Sequence, residues 1–305
     1  MAEQTSTRGI VLTRYGATVE VMTAHGTTVT CHQRKAKHPV IAGDHVIWRP
    51  TAEGGGIIEQ QLPRKNVLAQ RKDHKHVKTI AANLDQIVIA FTVKPHYDQT
   101  LIDRYIAVSE LQGITPVLLA TKMDLVHGEE ALAIDALSAM YRAIGYTVVH
   151  SSQLSGEGLS LIGDILKNKT SVLVGQSGVG KSSLANLLLP EAAIKTAELT
   201  TRGELGSHTT SRSTLYPLPA GGYLVDSPGV RDFAVWEISA AELANGYIEF
   251  RPYLGQCRFN DCQHINEPDC AIKQAVAAGT IHPARYQTYT SCYEAIRAQT
   301  DQGKL

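Results

Sequence analysis

Two different patterns of hydrophobic and polar residues divide the chain. Between residues 8 and 70, apolar and polar positions alternate in short bursts, and glycine-containing turns separate these bursts. Alternation with a period of two is typical of half-buried strands. About five such strands, with no helical segment among them, predict a small β-barrel. The predicted strands are 9–12, 17–22, 27–31, 45–48 and 56–59.

The second pattern begins near residue 86, where continuous apolar runs alternate with segments of helical period. Such runs are typical of strands buried on both faces, so the pattern predicts a doubly wound α/β sheet. The predicted strands are 86–92, 115–120, 146–150, 172–174, 213–218 and 222–226. The predicted helices are 99–112, 129–144, 158–167 and 182–189, with two more near 270–278 and 283–298 in a helical C-terminal segment.

The turn after the fourth apolar run fits the phosphate-loop (P-loop) pattern Gly-x-x-x-x-Gly-Lys-Ser/Thr. Its residues are Gly175, Gln176, Ser177, Gly178, Val179, Gly180, Lys181, Ser182 and Ser183. The glycines let backbone N–H groups point at phosphate oxygens, and the following helix adds its dipole. Lys181 is expected to contact the β- and γ-phosphates, and Ser182 to hold Mg²⁺. The alternative is a strand–turn–helix whose glycines only make the turn. The presence of strand, loop and helix together favours a nucleoside triphosphate site.

A guanine-recognition motif follows an earlier strand, at the edge where α/β sheets bind ligands. Asp124 can accept hydrogen bonds from the ring N–H and the amino group of guanine, and adenine has no matching donors. The aliphatic part of Lys122 can cover the base. Ser151-Ser152 matches the loop whose backbone N–H groups contact the guanine carbonyl. The full motif is Thr121-Lys122-Met123-Asp124.

Two further segments match the switches of a GTPase. Asp226 ends a predicted strand and is expected to approach Mg²⁺ through water, and the N–H of Gly229 to sense the γ-phosphate. A polar segment at 207–211 lies where GTPases keep a threonine that ligates magnesium while the γ-phosphate is present. Thr210 is favoured over Thr209 for that role.

Hydrolysis is expected to be slow without a partner. Val230 follows Gly229, where many GTPases have a glutamine that orients water, and an apolar side chain cannot do this. His208 is the candidate substitute, although a lone histidine in a loop could as well be a surface residue. With Lys181 and Thr210 it completes the predicted catalytic set.

These motifs come in an unusual order. Ordinary GTPases have the phosphate loop first and the guanine motif last, whereas here residues 121–124 and 151–152 precede the phosphate loop. A circular permutation of the chain would leave the site unchanged in space. It would also lead the second switch directly into the C-terminal segment.

The C-terminal segment contains a possible metal site. Three thiolates and one imidazole are the usual ligands of structural Zn²⁺, and a closed set of four leaves no place for a reactive water. The odd total of five cysteines argues against a disulfide framework. Reduced cysteines in a small core are the alternative, which the polar Asn260-Asp261 disfavours. Cys31 and Cys292 are predicted to be packing residues. The proposed ligands are Cys257, Cys262, His264 and Cys270.

Composition is that of a globular protein, with 43% apolar and 19% charged residues. No apolar run approaches the length of about 18 residues that a membrane span needs. The N-terminus lacks the hydrophobic core of a signal peptide. We therefore expect a cytoplasmic protein without a membrane partner. We also expect it to be a monomer.

The formal net charge of zero hides an asymmetry, because residues 1–78 contain twelve lysines and arginines against six acidic residues. A basic segment suggests a polyanionic partner, and an oligonucleotide-binding (OB) barrel would suit RNA. Scatter of surface charge explains the asymmetry equally well. The barrel has few stacking aromatics, Tyr15 and Trp48, so a barrel used for protein contacts stays open.

In this order, these elements resemble the circularly permuted ribosome-assembly GTPases of the RsgA type, also called YjeQ or EngC. The likeness covers nearly the whole chain and rests on the barrel, the cysteine cluster, and residues 121–124, 175–183, 208–210 and 226–229. It implies a bacterial GTPase that binds the small (30S) ribosomal subunit late in maturation and hydrolyses GTP to GDP and phosphate when the subunit stimulates it. It would help to release assembly factors or check the decoding region. It implies rRNA contacts through the barrel and zinc module. Thr121 stands where most GTPases have asparagine, a difference that can loosen the pocket.

We therefore predict three domains. These are an OB-like, RNA-binding barrel at 1–70, a permuted α/β GTPase domain at 71–237 that starts with a basic connector over 71–78, and a helical zinc-binding domain at 238–305. One alternative is a P-loop kinase acting on a small acceptor, but the sequence has no arginine-rich lid. Another is a nucleotide-dependent switch with negligible turnover, which Val230 keeps open.

Overall fold

The computed structural model describes residues 6–34, 39–52, 54–71, 77–189, 213–226 and 238–302. Within these residues the chain forms a closed barrel, then a six-stranded sheet with helices, then a helical C-terminal module. None of the helices described there has the length and apolar character needed to cross a membrane.

The barrel contains the five strands that the alternation predicts. Valine, isoleucine and tryptophan side chains fill its interior, together with Cys31, which is fully buried as a packing residue. Strands β3 and β5 pair in parallel and the other neighbours are antiparallel. Around the barrel the order is β1-β2-β3-β5-β4. The strands are β1 (Thr7–Tyr15), β2 (Thr18–Thr23), β3 (Thr28–Gln33), β4 (His45–Pro50) and β5 (Gly56–Gln61).

An antiparallel two-stranded sheet follows the barrel and corrects one prediction. Its strands are β6 (Val67–Arg71) and β7 (Val77–Ala82). The expected connector over residues 71–78 is wrong at both ends, because Arg71 and Val77 are paired in this sheet. Residues 72–76 lie outside the described part of the chain. The sequence signal was weak because each strand gains its hydrogen bonds from the other and the segment between them is highly charged.

The barrel packs directly on the rest of the protein. Successive residues of a strand face opposite sides, so Val11 of β1 lies in the barrel core and Leu12 in the neighbouring core. A β-bulge between Val11 and Thr13 shifts the pairing of β1 with β2 at this point. Gly43 lies so close to β7 that a Cβ atom there would be 2.1 Å from the carbonyl oxygen of Ala82. These contacts pack the barrel directly against the neighbouring core.

The central sheet confirms the predicted α/β architecture. Its order is β10-β9-β8-β11-β13-β12, and all neighbours are parallel except the terminal hairpin of β12 and β13. Successive residues of a strand face opposite sides of the sheet and enter different cores, as Ile87 and Val88 do. Because both faces are buried, the strands are continuous apolar runs. The strands are β8 (Gln86–Phe91), β9 (Thr115–Ala120), β10 (Thr147–His150), β11 (Thr170–Val174), β12 (Thr214–Pro217) and β13 (Tyr223–Asp226).

Four helices cover this sheet at the positions expected from the sequence. Asp98 caps the first, because its side chain accepts hydrogen bonds from the N–H groups of Thr100 and Leu101. The second ends at Gly145, whose φ of 113° suits glycine. The helices are α1 (Gln99–Leu111), α2 (Glu129–Ile144), α3 (Leu159–Leu166) and α4 (Lys181–Leu188). We call these strands and helices, β8–β13 and α1–α4, the α/β domain.

The C-terminal module comprises residues 238–302. It has a short helix α5 (Ala240–Leu243), 3₁₀ turns at Ala244–Gly246 and Ile248–Tyr253, and helices α6 (Ala271–Ala277) and α7 (Pro283–Gln302). The last two confirm the predicted helices, and α7 runs four residues beyond the expected end at 298. Cys292 on α7 is buried at 2% exposure, as expected of a packing residue.

A buried arginine joins this module to the α/β domain. Arg285 on α7 is fully buried and forms ion pairs with Asp103 on α1 and with Glu249, whose Oε1 lies 2.6 Å from the guanidinium Nε. The guanidinium carbon also lies 4.4 Å from the ring centroid of Tyr247. Burial alone would lower the pKa of Arg285, but the two carboxylates raise it well above its usual range. The guanidinium therefore stays charged and depends on its acidic partners.

Removing one partner should destabilise the protein strongly. In Asp103→Asn the buried Arg285 loses one carboxylate, and breaking a buried pair costs about 3–5 kcal/mol of the free energy of unfolding. Asp269→Asn is the matched control, because Asp269 pairs with Arg258 at the surface with both side chains at least 60% exposed. That change should cost less than about 1 kcal/mol. Urea unfolding followed by circular dichroism measures both. Equal losses would contradict the role given to Asp103.

Candidate functional site

The predicted nucleotide-binding residues meet at the carboxyl edge of the sheet. Thr121 follows β9, Ser151 follows β10, Gly175 follows β11, and Asp226 is the last residue of β13. Because β8, β9, β10, β11 and β13 are parallel, their carboxyl ends lie at one edge. Residues separated by about a hundred positions along the chain are therefore neighbours at this edge.

The phosphate loop turns where only glycine fits. Gly175 has a φ of 135°, and a Cβ atom there would lie 2.1 Å from the carbonyl oxygen of Ala90 on β8. Gly178 and Gly180 also have positive φ, and Gly180 is the N-cap of α4. The backbone N–H groups from Gln176 to Gly180 have no acceptor in the described part of the chain. Five consecutive unpaired donors at a helix N-terminus are suited to bind an anion.

Lys181 places its ammonium group over this loop. Its Nζ donates to the carbonyl oxygens of Gly175 and Gln176, each at 2.6 Å. Ser177, Ser182 and Ser183 are exposed, whereas Val179 is fully buried and anchors the loop. The charge and the exposed hydroxyls are thus at the surface of the loop, where a phosphate group would contact them.

Thr121 ties the guanine motif to the phosphate loop. Its side chain is buried, and its hydroxyl donates to the carbonyl oxygen of Val179 at 2.6 Å and lies 3.1 Å from that of Phe91. The backbone N–H of Thr121 also donates to Phe91, at 2.8 Å. A threonine here therefore forms a direct link to the phosphate loop, although asparagine is more usual at this position of GTPases.

Lys122 and Asp124, which belong to the same motif as Thr121, also bond to the neighbouring loops. Lys122 adopts a left-handed backbone with φ of 56°, and its Nζ donates to the carbonyl oxygens of Gly178 at 2.5 Å and Lys94 at 3.2 Å. Asp124 accepts a hydrogen bond from the hydroxyl of Ser152 at 2.5 Å on one carboxylate oxygen. The N–H of Met123 donates to the carbonyl of Ser151 at 3.1 Å. The two motifs thus form one unit in which Ser152 orients the carboxylate.

Ser151 and Ser152 differ from the expectation in one respect. Their backbone N–H groups were predicted to contact the guanine carbonyl, but both donate within the protein, to Ala120 at 2.8 Å and to Glu157 at 3.0 Å. Ser152 contributes its hydroxyl instead. Burial lowers the pKa of the neighbouring His150, whose ring lies 2.8 Å from the hydroxyl of Ser138.

Not every predicted residue can be placed. His208, Thr209, Thr210, Gly229 and Val230 lie outside the described residues. Asp226 is half-buried at the end of β13, and that strand pairs with β11, which carries the phosphate loop. This arrangement brings the carboxylate of Asp226 to the same edge as Ser182.

The four predicted metal ligands form one cluster in the C-terminal module. Their ligand atoms all lie within 4.8 Å of one another. The Nδ1 atom of His264 lies 3.4 Å from the Sγ atoms of Cys257 and Cys270 and 3.5 Å from that of Cys262. The Sγ atoms of Cys257 and Cys270 are 3.8 Å apart. Tetrahedral coordination with metal–sulfur bonds of about 2.3 Å would give sulfur separations of about 3.8 Å, so the cluster fits a structural metal ion.

Hydrogen bonds from α7 support the cluster. The hydroxyl of Tyr286 donates to the carbonyl of His264, and that of Tyr289 to the carbonyl of Gln263, both at 2.8 Å. The carboxylate of Glu267 accepts from the N–H groups of Gln263 and Ile265, each at 2.9 Å. The loop that carries the ligands is therefore held on the same helix as Arg285.

A phosphate loop, a guanine motif that precedes it, and the strand order of this sheet define a circularly permuted GTPase. The family described as RsgA GTPase matches residues 61–236. The chain belongs to this family.

Relatives match over most of the chain. A small ribosomal subunit biogenesis GTPase RsgA from Chromohalobacter salexigens is 44% identical over 285 residues, which cover 92% of this chain and 84% of that protein. One from Actinobacillus succinogenes is 42% identical over 285 residues, 92% of this chain and 82% of that protein.

Two crystal structures have the same fold. YjeQ from Thermotoga maritima has a TM-score of 0.79 and 31% identity, covering 96% of this chain and 99% of its own. YloQ, described as a circularly permuted GTPase, has a TM-score of 0.77 and 28% identity, covering 98% of this chain and 97% of its own.

Some residues of the site were missed by sequence analysis. Gln153, whose side chain contacts Gly180, stands directly after Ser151-Ser152, and its position in the guanine loop was the only available signal. The supporting residues Tyr286, Tyr289 and Glu267 carry no motif. Their roles come from a helix that packs on the cluster from a distant part of the chain.

The cluster predicts one tightly bound metal ion per chain. Cys270→Ser removes one of four ligands, so the variant should lose most of the metal after brief chelation. Cys292→Ser should keep it, because Cys292 is a buried cysteine of α7 outside the cluster. Elemental analysis of the purified proteins measures the metal content. Retention of a full equivalent by Cys270→Ser would contradict the ligand set.

Proposed function

We propose that this protein is a GTPase that acts late in the maturation of the small ribosomal subunit. It binds the subunit and hydrolyses GTP to GDP and phosphate when the subunit stimulates it. The observation that carries the proposal is the extent of the similarity. Proteins named as small ribosomal subunit biogenesis GTPases match 92% of this chain, so the likeness extends beyond the nucleotide-binding domain into both flanking parts.

Each part of the site has a proposed task. The phosphates are bound by the N–H groups of residues 176–180 and by the ammonium of Lys181. Asp124 accepts hydrogen bonds from guanine. Ser182 and Asp226, which the sheet brings to one edge, would hold Mg²⁺, and the ion would neutralise phosphate charge when bound. Lys122 covers the base with its aliphatic stem.

The catalytic set extends to residues beyond the described part of the chain. His208 is proposed to position or activate the attacking water in place of the glutamine that Val230 replaces, and Thr210 to ligate magnesium. The Gly229 N–H would sense the γ-phosphate. This set implies slow hydrolysis by the free protein, because Val230 cannot orient water and a partner is expected to complete the site.

The flanking parts are proposed to contact rRNA. The barrel (residues 1–70) belongs to the basic N-terminal segment, and the metal module (238–305) follows the second switch directly along the chain. Zn²⁺ is the proposed metal, because three thiolates and one imidazole at these separations suit it, and its role is structural. Residues 71–237 form the proposed GTPase domain. We propose that the protein works as a cytoplasmic monomer.

Guanine specificity should depend on Asp124. Asp124→Asn loses the charged acceptor for the ring N–H and amino group of guanine, so affinity for GDP should fall about 10- to 100-fold. Affinity for xanthosine diphosphate should rise, because the asparagine amide can donate to the extra carbonyl of xanthine. Asp164→Asn, on the exposed side of α3, is the matched control and should change neither affinity. Titration calorimetry measures all of them. Unchanged GDP binding by Asp124→Asn would refute the assignment.

The function itself is tested by phosphate release from GTP and from ATP, with and without purified small subunits. We expect slow GTP turnover that rises by orders of magnitude with small subunits and not with large subunits. A rate of phosphate release that does not change when the small subunit is added would favour a passive nucleotide switch. A preference for ATP would favour the kinase alternative. Lys181→Ala serves as the inactive control, since it removes the phosphate-binding ammonium.

A further inference from the structure

The loop that follows β10 has two backbone N–H groups that find no acceptor among the described residues. The N–H groups of Ser151 and Ser152 are used within the protein, as described above. Those of Ser155 and Gly156 donate to the hydroxyl of Ser152 at 3.1 Å and to its carbonyl at 3.0 Å. Within residues 151–156, only the N–H groups of Gln153 and Leu154 lack an acceptor in the described part of the chain.

These two donors directly follow, along the chain, the serine that bonds to the carboxylate proposed to recognise guanine. Ser152, which precedes them, holds Asp124 through its hydroxyl at 2.5 Å. Leu154 follows, and its side chain is 85% exposed, the highest value among the large apolar residues that the structure describes. An exposed leucine beside two free donors and an acceptor is suited to a flat aromatic ring with polar edges, which is the chemistry of a purine base.

The side chain of Gln153 joins this loop to the phosphate loop. Its Nε2 donates to the carbonyl oxygen of Gly180 at 3.1 Å, across 27 positions of sequence. The same carbonyl accepts the first helical hydrogen bond of α4, from the N–H of Leu184 at 2.9 Å. The amide is half-buried between the two loops, and a Cβ atom at Gly180 would come within 3.4 Å of its nitrogen. The link therefore joins the guanine loop to the residue from which α4 begins.

We propose that Gln153 is a positioning residue that couples guanine recognition to the phosphate loop. Its side chain holds the guanine loop on Gly180, and this fixes the direction of its own N–H toward the 6-carbonyl of the base. Adenine carries an amino group at that position, so a donor held there meets another donor and disfavours adenine. The inference rests on the proposed GTP-binding function. A backbone contact from this loop to the guanine carbonyl is expected of any GTPase, and what the structure adds is the anchoring of the loop by the side chain of Gln153.

In this arrangement the side chain of Gln153 bonds within the protein, and its backbone N–H is left to bind the base. Asp124 recognises the N–H edge of guanine and is held by Ser152. The 6-carbonyl needs a donor whose place is equally fixed, and a backbone N–H in a glycine-rich surface loop is not fixed by itself. The amide of Gln153 supplies that constraint from the rigid end of α4.

Gln153→Met is the test variant, because methionine has similar length and no donor. We expect its affinity for GDP to fall about 3- to 10-fold, the effect of one neutral hydrogen bond. The affinity for 6-thio-GDP, whose sulfur is a weak acceptor, should fall less than about 2-fold, since little hydrogen bonding is lost there. Gln112→Met, at the far end of α1, is the matched control and should change neither affinity. Titration calorimetry measures all four.

The ratio of the two affinities separates positioning from general loosening. A loop that is merely destabilised would lose both ligands equally, and that result, or an unchanged GDP affinity, would overturn the proposal. The ¹⁵N-amide resonance of residue 153 gives an independent readout, and it should shift on GDP binding in the wild type and much less in Gln153→Met. Failure of the wild-type protein to bind GDP at all would instead refute the proposed function.

Discussion

Nucleotide binding in this protein depends on the close approach of β8 and β11 at their carboxyl ends. Gly175 leaves β11 with a φ of 135°, where a Cβ atom would lie 2.1 Å from the carbonyl of Ala90. Only glycine lets the chain turn here, and the turn leaves five consecutive N–H groups without an acceptor among the residues that the structure describes. Thr121, at the end of β9, holds the other side of the loop through the carbonyl of Val179. The sheet thus fixes the phosphate loop on two sides before any ligand is bound.

The same sheet makes the order of the motifs unimportant for the site. Parallel strands place their carboxyl ends at one edge whatever their order along the chain. The guanine motif can therefore precede the phosphate loop without changing the arrangement of Asp124, Ser152 and Lys181. What the permutation does change is the connection after β13, which now leads toward the C-terminal module instead of back into the sheet.

Both flanking parts are attached to the α/β domain by buried contacts. On one side, the outward face of β1 places Leu12 in the neighbouring core, and Gly43 lies against β7. On the other, Arg285 joins α7 to Asp103 of α1, while tyrosines of the same helix support the metal cluster. Helix α1 begins just after the loop that contains Lys94, whose carbonyl accepts from Lys122. Contacts that form on either flanking part are thus linked to the nucleotide edge through packed elements.

The sequence by itself determined the barrel, the α/β sheet, the phosphate loop, the Thr121–Asp124 motif and the cysteine–histidine cluster, because each depends on local spacing. These signals are local, since each can be recognised within a few residues. They are the period-two alternation, the continuous apolar runs and the glycines at 175, 178 and 180. The pairing of β6 with β7, the buried Arg285 and the roles of Thr121 and Gln153 were decided only by tertiary structure. Their partners lie between 6 and 182 residues away along the chain, and a hydrogen bond or ion pair between separate elements leaves no periodic signal in the sequence. The sequence named the guanine loop, but only the fold showed which of its N–H groups are already paired.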